Sequence, residues 1–99
     1  IDATILCSND RLAIGLMSAA YESGLKVGHA AEFDLRIAGH DDHPFSRYTC
    51  PSLTTISQDY DEIGERSVSE MLKIIDGTNG ITERTEKLFE GRLVMRSSA

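Results

Sequence analysis

Short apolar runs alternate with helix-period segments along this chain, and that alternation admits few architectures. Residues 3–7, Ala-Thr-Ile-Leu-Cys, form the apolar run that a buried strand requires. Ser8-Asn9-Asp10 follows, with Asp10 placed to cap a helix from Arg11 to about Ser23 and Gly24 placed to end it. The stretch 35–39, Leu-Arg-Ile-Ala-Gly, reads as a second strand, and Leu53-Thr54-Thr55-Ile56 as a third. From about Tyr60 to Asp76, Ile63, Ser67, Val68, Met71, Leu72 and Ile75 share one face of a helix that Gly77 closes. Lys87-Leu88-Phe89 and Arg92-Leu93-Val94-Met95 are strand-like segments interrupted by Gly91. Strand, helix, strand, then helix and strand is the order of an α/β domain, with a mostly parallel sheet flanked by helices.

The first helix carries more apolar surface than one sheet can cover. Leu12, Ala13, Ile14, Leu16, Met17, Ala19, Ala20 and Tyr21 extend over more than one face, which implies a second partner behind the helix. At 99 residues the chain is one small domain or a piece of a larger one. Its net charge of −6 opposes a nucleic-acid-binding surface, so any DNA contact is expected from residues outside this stretch. No segment is long and apolar enough to suggest a membrane span. Without an initiating Met, the lack of a targeting segment is uninformative. The two cysteines, Cys7 and Cys50, lack metal-type spacing. Cys7 reads as a small core residue, and a reducing compartment is favoured over a disulfide.

In open parallel sheets, ligands bind beyond the carboxyl ends of the strands. Two polar clusters fall there: Ser8-Asn9-Asp10 after the first strand and His40-Asp41-Asp42-His43 after the second. Asn9 and Asp41 suit a polyhydroxylated ligand, because the carboxylate accepts from adjacent hydroxyls while the amide both donates and accepts. The competing reading has Asn9 and Asp10 capping the helix and Asp41 bonding loop amides. The His-Asp-Asp-His run invites a metal reading. Along an extended chain, though, His40 and Asp42 point away from Asp41 and His43, so convergence demands a sharp turn. Gln58 and Tyr60 stand between a strand and a helix, where Tyr60 could stack on a sugar or base, or simply pack at a hinge. There is no Gly-rich phosphate loop, nucleophile elbow or Cys-x-x-Cys, and no enzyme activity, cofactor or metal is expected.

Five segments stand out together: Ile5-Leu6-Cys7-Ser8-Asn9-Asp10-Arg11-Leu12-Ala13-Ile14-Gly15, Glu22-Ser23-Gly24-Leu25-Lys26-Val27-Gly28, Ile37-Ala38-Gly39-His40-Asp41-Asp42, Pro51-Ser52-Leu53-Thr54-Thr55-Ile56 and Arg96-Ser97-Ser98. In order and approximate spacing they resemble the LacI/GalR family of transcription regulators. The resemblance implies a type I periplasmic-binding-protein-like fold of two α/β lobes with an effector, expected to be a sugar, between them. This chain would then be its C-terminal part. Residues 1–56 and 86–99 would belong mainly to the C-terminal lobe, and 57–85 to a crossover and a helix packing on the N-terminal lobe. By matching position, Asn9, Asp41, Gln58 and Tyr60 are implied effector contacts. Ile14, Met17, Tyr21 and Tyr48 are implied homodimer contacts. DNA would be bound only through an N-terminal helix-turn-helix outside this chain, in a cytoplasmic protein. The alternative is a periplasmic sugar-binding protein serving transport or chemotaxis. Departures from the family pattern are His40, in place of an aromatic residue, and an apparent insertion from His29 to Phe33.

Overall fold

The structure, a computed structural model, describes residues 2–77 and 86–99. Its elements are β1 (Ala3–Leu6), α1 (Asp10–Glu22), β2 (Leu35–Ala38), β3 (Thr55–Ser57), α2 (Tyr60–Ile75) and β4 (Arg92–Val94). The chain divides into two compact units, Ile1–Ser57 with Arg92–Ala99, and Gln58–Gly91.

In the first unit β1 and β2 run parallel, with Ala3 opposite Leu35 and Leu6 opposite Ala38. Parallel neighbours need a crossover, and α1 supplies it. Ala13, Met17 and Ala20, spaced four and three residues apart, are the buried stripe of α1. They join Leu35, Ile37 and Leu53 in the core, with Ile5, Cys7, Ile14, Leu16 and Val27 packed around it. Gly24 ends the helix in the left-handed region at φ 74°. Burial pushes the Cys7 thiol upward, as expected of a packed, unreactive sulfur.

β1 departs from the reading of a buried strand. Its residues alternate, and Leu6 is 77% exposed. The cause is simple: α1 packs against one face of this two-stranded sheet. The third strand begins later than the sequence indicates, at Thr55, and pairs antiparallel with β4 through Thr55–Val94, Ile56–Leu93 and Ser57–Arg92. Beyond β1 and β2, parallel pairing among the described residues consists of isolated bridges, Ala38 with Thr54 and Val27 with Leu35. The segment 87–89 forms no strand.

The chain thus leaves the first unit at Ser57 and re-enters it at Arg92 on adjacent strands. Its last residues then lock into place. The buried Ser98 hydroxyl donates to Ile37 O (2.6 Å) and accepts from Thr54 N (2.8 Å), while Ile37 N donates to Ser98 O (2.9 Å).

The second unit is dominated by α2. Asp59 caps it by accepting from Glu62 N (3.0 Å), Asp61 and Glu62 occupy its first turn, and Lys73 its last. Those charges complement the helix dipole. The predicted apolar face is present, yet no residue of α2 is buried.

Candidate ligand-binding site

β1 and β2 end level with each other, so the polar clusters that follow them emerge at one edge. Cys7 N bonds Ala38 O (2.8 Å), and Asp10 N bonds His40 O (3.0 Å), which stitches the two connections together. Gly39 N bonds Thr54 O (2.9 Å) and Asp41 N bonds Ile56 O (2.9 Å), tying both to the β3 segment. A cluster at the carboxyl ends of parallel strands is where α/β folds bind ligands.

Asn9 takes the capping role that the competing reading gave it, whereas Asp10 departs from expectation. Asn9, not Asp10, caps α1: its Oδ1 accepts from Leu12 N at 2.9 Å. Asp10 is 1% exposed. Its Oδ2 accepts from the Ser46 hydroxyl (2.5 Å) and His43 N (2.7 Å), and its Oδ1 accepts from the Thr55 hydroxyl (2.6 Å). A buried carboxylate is costly unless such donors replace water. Burial works to raise the Asp10 pKa, but the Ser46 and Thr55 hydroxyls, the His43 amide and the Arg96 charge outweigh it. The carboxyl therefore stays below its ordinary range. Gly39 makes this packing possible, since a Cβ there would collide with the Asp10 side chain. The cap reading failed because Asp10 and Asn9 are equally good caps by residue type. Three donors from distant parts of the chain made the choice.

The run His40-Asp41-Asp42-His43 is not extended. Asp41 lies at φ 115° and Asp42 at φ 52°, so the chain turns sharply where alternation of side chains was expected. Asp42 tolerates the left-handed region, whereas φ near 115° is a strained backbone for any residue with a Cβ. Asp42 N donates to the Thr55 hydroxyl (3.2 Å), and Asp42 Oδ1 pairs with Arg96 at 2.7 Å. Arg96 also donates to Leu53 O (2.9 Å). The Asp41 side chain is 47% exposed, with its Oδ1 3.1 Å from His40 Nδ1. Despite the turn, no cluster of three or more metal-ligating side chains occurs among the described residues.

Asn9 and Asp41 therefore follow neighbouring strands of the first unit. Gln58 and Tyr60 lie in the second unit, where Tyr60 N donates to Gln58 O (3.1 Å) and Tyr60 opens α2, 52% exposed. On the back of α1, Ile14, Met17, Ser18 and Tyr21 line a groove with Thr49 and Cys50. Tyr21 and Tyr48 are 84% and 74% exposed, but Met17 is a core residue at 6%. Ser46, Thr55 and Arg96 were not identified from sequence as site-supporting residues. Isolated hydroxyls and one arginine, paired across dozens of positions, leave no periodic signal.

Comparison with known proteins adds four likenesses. A family profile described as a periplasmic binding protein-like domain matches residues 2–99. The lactose operon repressor of Escherichia coli (strain K12) is 39% identical over 77 residues, which is 78% of this chain and 20% of that protein. The HTH-type transcriptional repressor PurR of Haemophilus influenzae (strain PittEE) is 32% identical over 99 residues, 99% of this chain and 28% of PurR. Among solved structures, the lac repressor dimer bound to operator and the anti-inducer ONPF superposes with a TM-score of 0.79 and 36% identity. That match covers 96% of this chain and 31% of the repressor chain. The chain thus spans between a fifth and a third of the proteins it is similar to.

Proposed function

The chain belongs to the periplasmic-binding-protein-like domain family, and from that premise we propose that it is the C-terminal part of the effector-sensing domain of a LacI-type transcription regulator. The observation that carries the reading is the strained turn beyond β2. It leaves the Asp41 carboxylate half-exposed at the same sheet edge as Asn9, as a site for a sugar or related polyhydroxylated molecule requires. Asp41 accepts from ligand hydroxyls. Asn9 spends Oδ1 on the helix cap, so its amide group contributes as a donor. For Gln58 and Tyr60 the reading rests on the family resemblance alone, which implies effector contacts, with Tyr60 stacking.

In this reading the effector binds between two lobes and favours one arrangement of them, shifting operator binding by about 1–3 kcal/mol. DNA is contacted by an N-terminal helix-turn-helix elsewhere in the protein, consistent with the negative charge here. The apolar face of α2, with Val68, Met71, Leu72 and Ile75 open to solvent, is covered by the N-terminal lobe. A homodimer forms through Ile14, Tyr21 and Tyr48. Met17 contributes only the edge left uncovered by its own core. The similarity to repressors favours a cytoplasmic regulator over a transport protein.

The test is a thermal-shift screen of the full-length protein against sugars and purines. A ligand at a hundred times its Kd adds about 2.7 kcal/mol to the folded state, so a true effector raises the melting temperature measurably. A screen with no hit among either class would contradict the reading.

A further inference from the structure

Asp41 occupies a backbone conformation that no residue with a Cβ adopts without support, and the bonds around the turn converge on the buried side chain of Asp10. We propose that Asp10 is a positioning residue of the effector site, its buried carboxylate holding the left-handed turn at 41–42 so that the Asp41 carboxylate is presented outward. The inference rests on the reading of Asp41 as an effector contact.

The bonds form a continuous relay. Asp10 Oδ2 receives His43 N at 2.7 Å, which fixes the residue after the turn. Asp10 Oδ1 receives the Thr55 hydroxyl at 2.6 Å, and that oxygen in turn accepts Asp42 N at 3.2 Å, which fixes the turn itself. Because Thr55 donates its single proton to the carboxylate, its lone pairs face the Asp42 amide, so the charge on Asp10 sets the direction of both bonds. Asp10 N holds His40 O at 3.0 Å, on the entry side. Asp42 Oδ1 closes the arrangement on Arg96 at 2.7 Å. Residues 40, 42 and 43 are thus bonded to Asp10 directly or through Thr55, while Asp41 N is tied to Ile56 O. The side chain of Asp41 is half-exposed beside this frame, with His40 Nδ1 3.1 Å from its Oδ1.

A purely structural Asp10 would stabilise the unit as a whole; a positioning Asp10 controls one turn. The two differ in amide hydrogen exchange, measured by mass spectrometry on the full-length, ligand-free protein. The variants are Asp10→Asn and a control, Ala13→Gly, which weakens α1 from within the core without touching the relay. Positioning predicts that Asp10→Asn speeds exchange of peptides covering 40–43 by about tenfold or more beyond the control, the scale of one lost charge-assisted bond. Peptides of β1 and α1 would respond alike in both. Equal acceleration of 40–43 in the two variants would overturn the proposal. Should Asp10→Asn fail to fold, Thr55→Val removes the relay with the carboxylate intact. It must then speed exchange at 40–43 selectively, and a uniform response would again overturn the idea. The underlying reading fails separately, if Asp41→Ala leaves binding of a sugar or purine found in the thermal-shift screen unchanged.

Discussion

The two units of this chain each carry a helix with apolar surface, and the two helices are stabilised by opposite means. α1 closes on its own surroundings: Ala13, Met17 and Ala20 are buried against Leu35, Ile37 and Leu53, and its first residue anchors a polar network. α2 buries nothing, and holds itself with a cap at Asp59, acids in its first turn and ion pairs from Glu70 to Arg66 and Lys73. A periodic apolar face specifies a helix wherever it occurs, but only packing converts that face into stability.

The sharpest way to break this contrast is to remove a large apolar side chain from each unit. Ile37→Ala empties a fully buried site and should cost about 2–5 kcal/mol in denaturant unfolding of the full-length protein. Leu72→Ala on α2, exposed in this chain, should cost less than about 1 kcal/mol in the 99-residue chain. A loss of about 2 kcal/mol or more from Leu72→Ala in the full-length protein would identify the N-terminal lobe as its cover.

Next in size is Asp10. Replacing it with Ala orphans the Ser46 and Thr55 hydroxyls and the His43 amide, and should cost about 3 kcal/mol at neutral pH. Its pKa is lower folded than unfolded, so its stabilisation is complete above the unfolded value of about 3.9 and is lost as pH falls through the folded one. The difference between wild type and Asp10→Asn in urea midpoints should therefore shrink on acidification below about pH 4. A constant difference would remove the charge from the account.

Smaller effects separate caps and surface pairs. Asn9→Ala should cost about 1 kcal/mol through the lost cap. Arg66→Ala should cost less than about 0.5 kcal/mol, because an exposed pair with the basic residue preceding the acid is the weaker helix orientation. Tyr21→Glu with Tyr48→Glu should give monomers in sedimentation while leaving the melting temperature of the unit nearly unchanged, since both side chains are exposed.

What could be read in advance follows the same division. Helix spans and their glycine stops were legible, because periodicity and Gly24 or Gly77 are local signals. The sheet edge that gathers Asn9 and Asp41 was legible from strand order. The role of Asp10 was not: a carboxylate before a helix looks like a cap until Ser46 and Thr55 arrive from elsewhere in the chain. Nor was the turn at Asp41, since positive φ at a non-glycine residue is imposed by its bonding partners rather than by its own preference. The exposed second face of β1 was misread for a related reason: an apolar run reports what a strand is suited to, not what covers it.

Calorimetric titration of the effector found by thermal shift, into full-length wild type and Asp41→Ala, tests the account at its centre. Loss of a charge-assisted hydrogen bond predicts affinity at least about tenfold weaker in the variant, with folding intact. Unchanged affinity would place the effector away from the turn beyond β2 and contradict the assignment of this site.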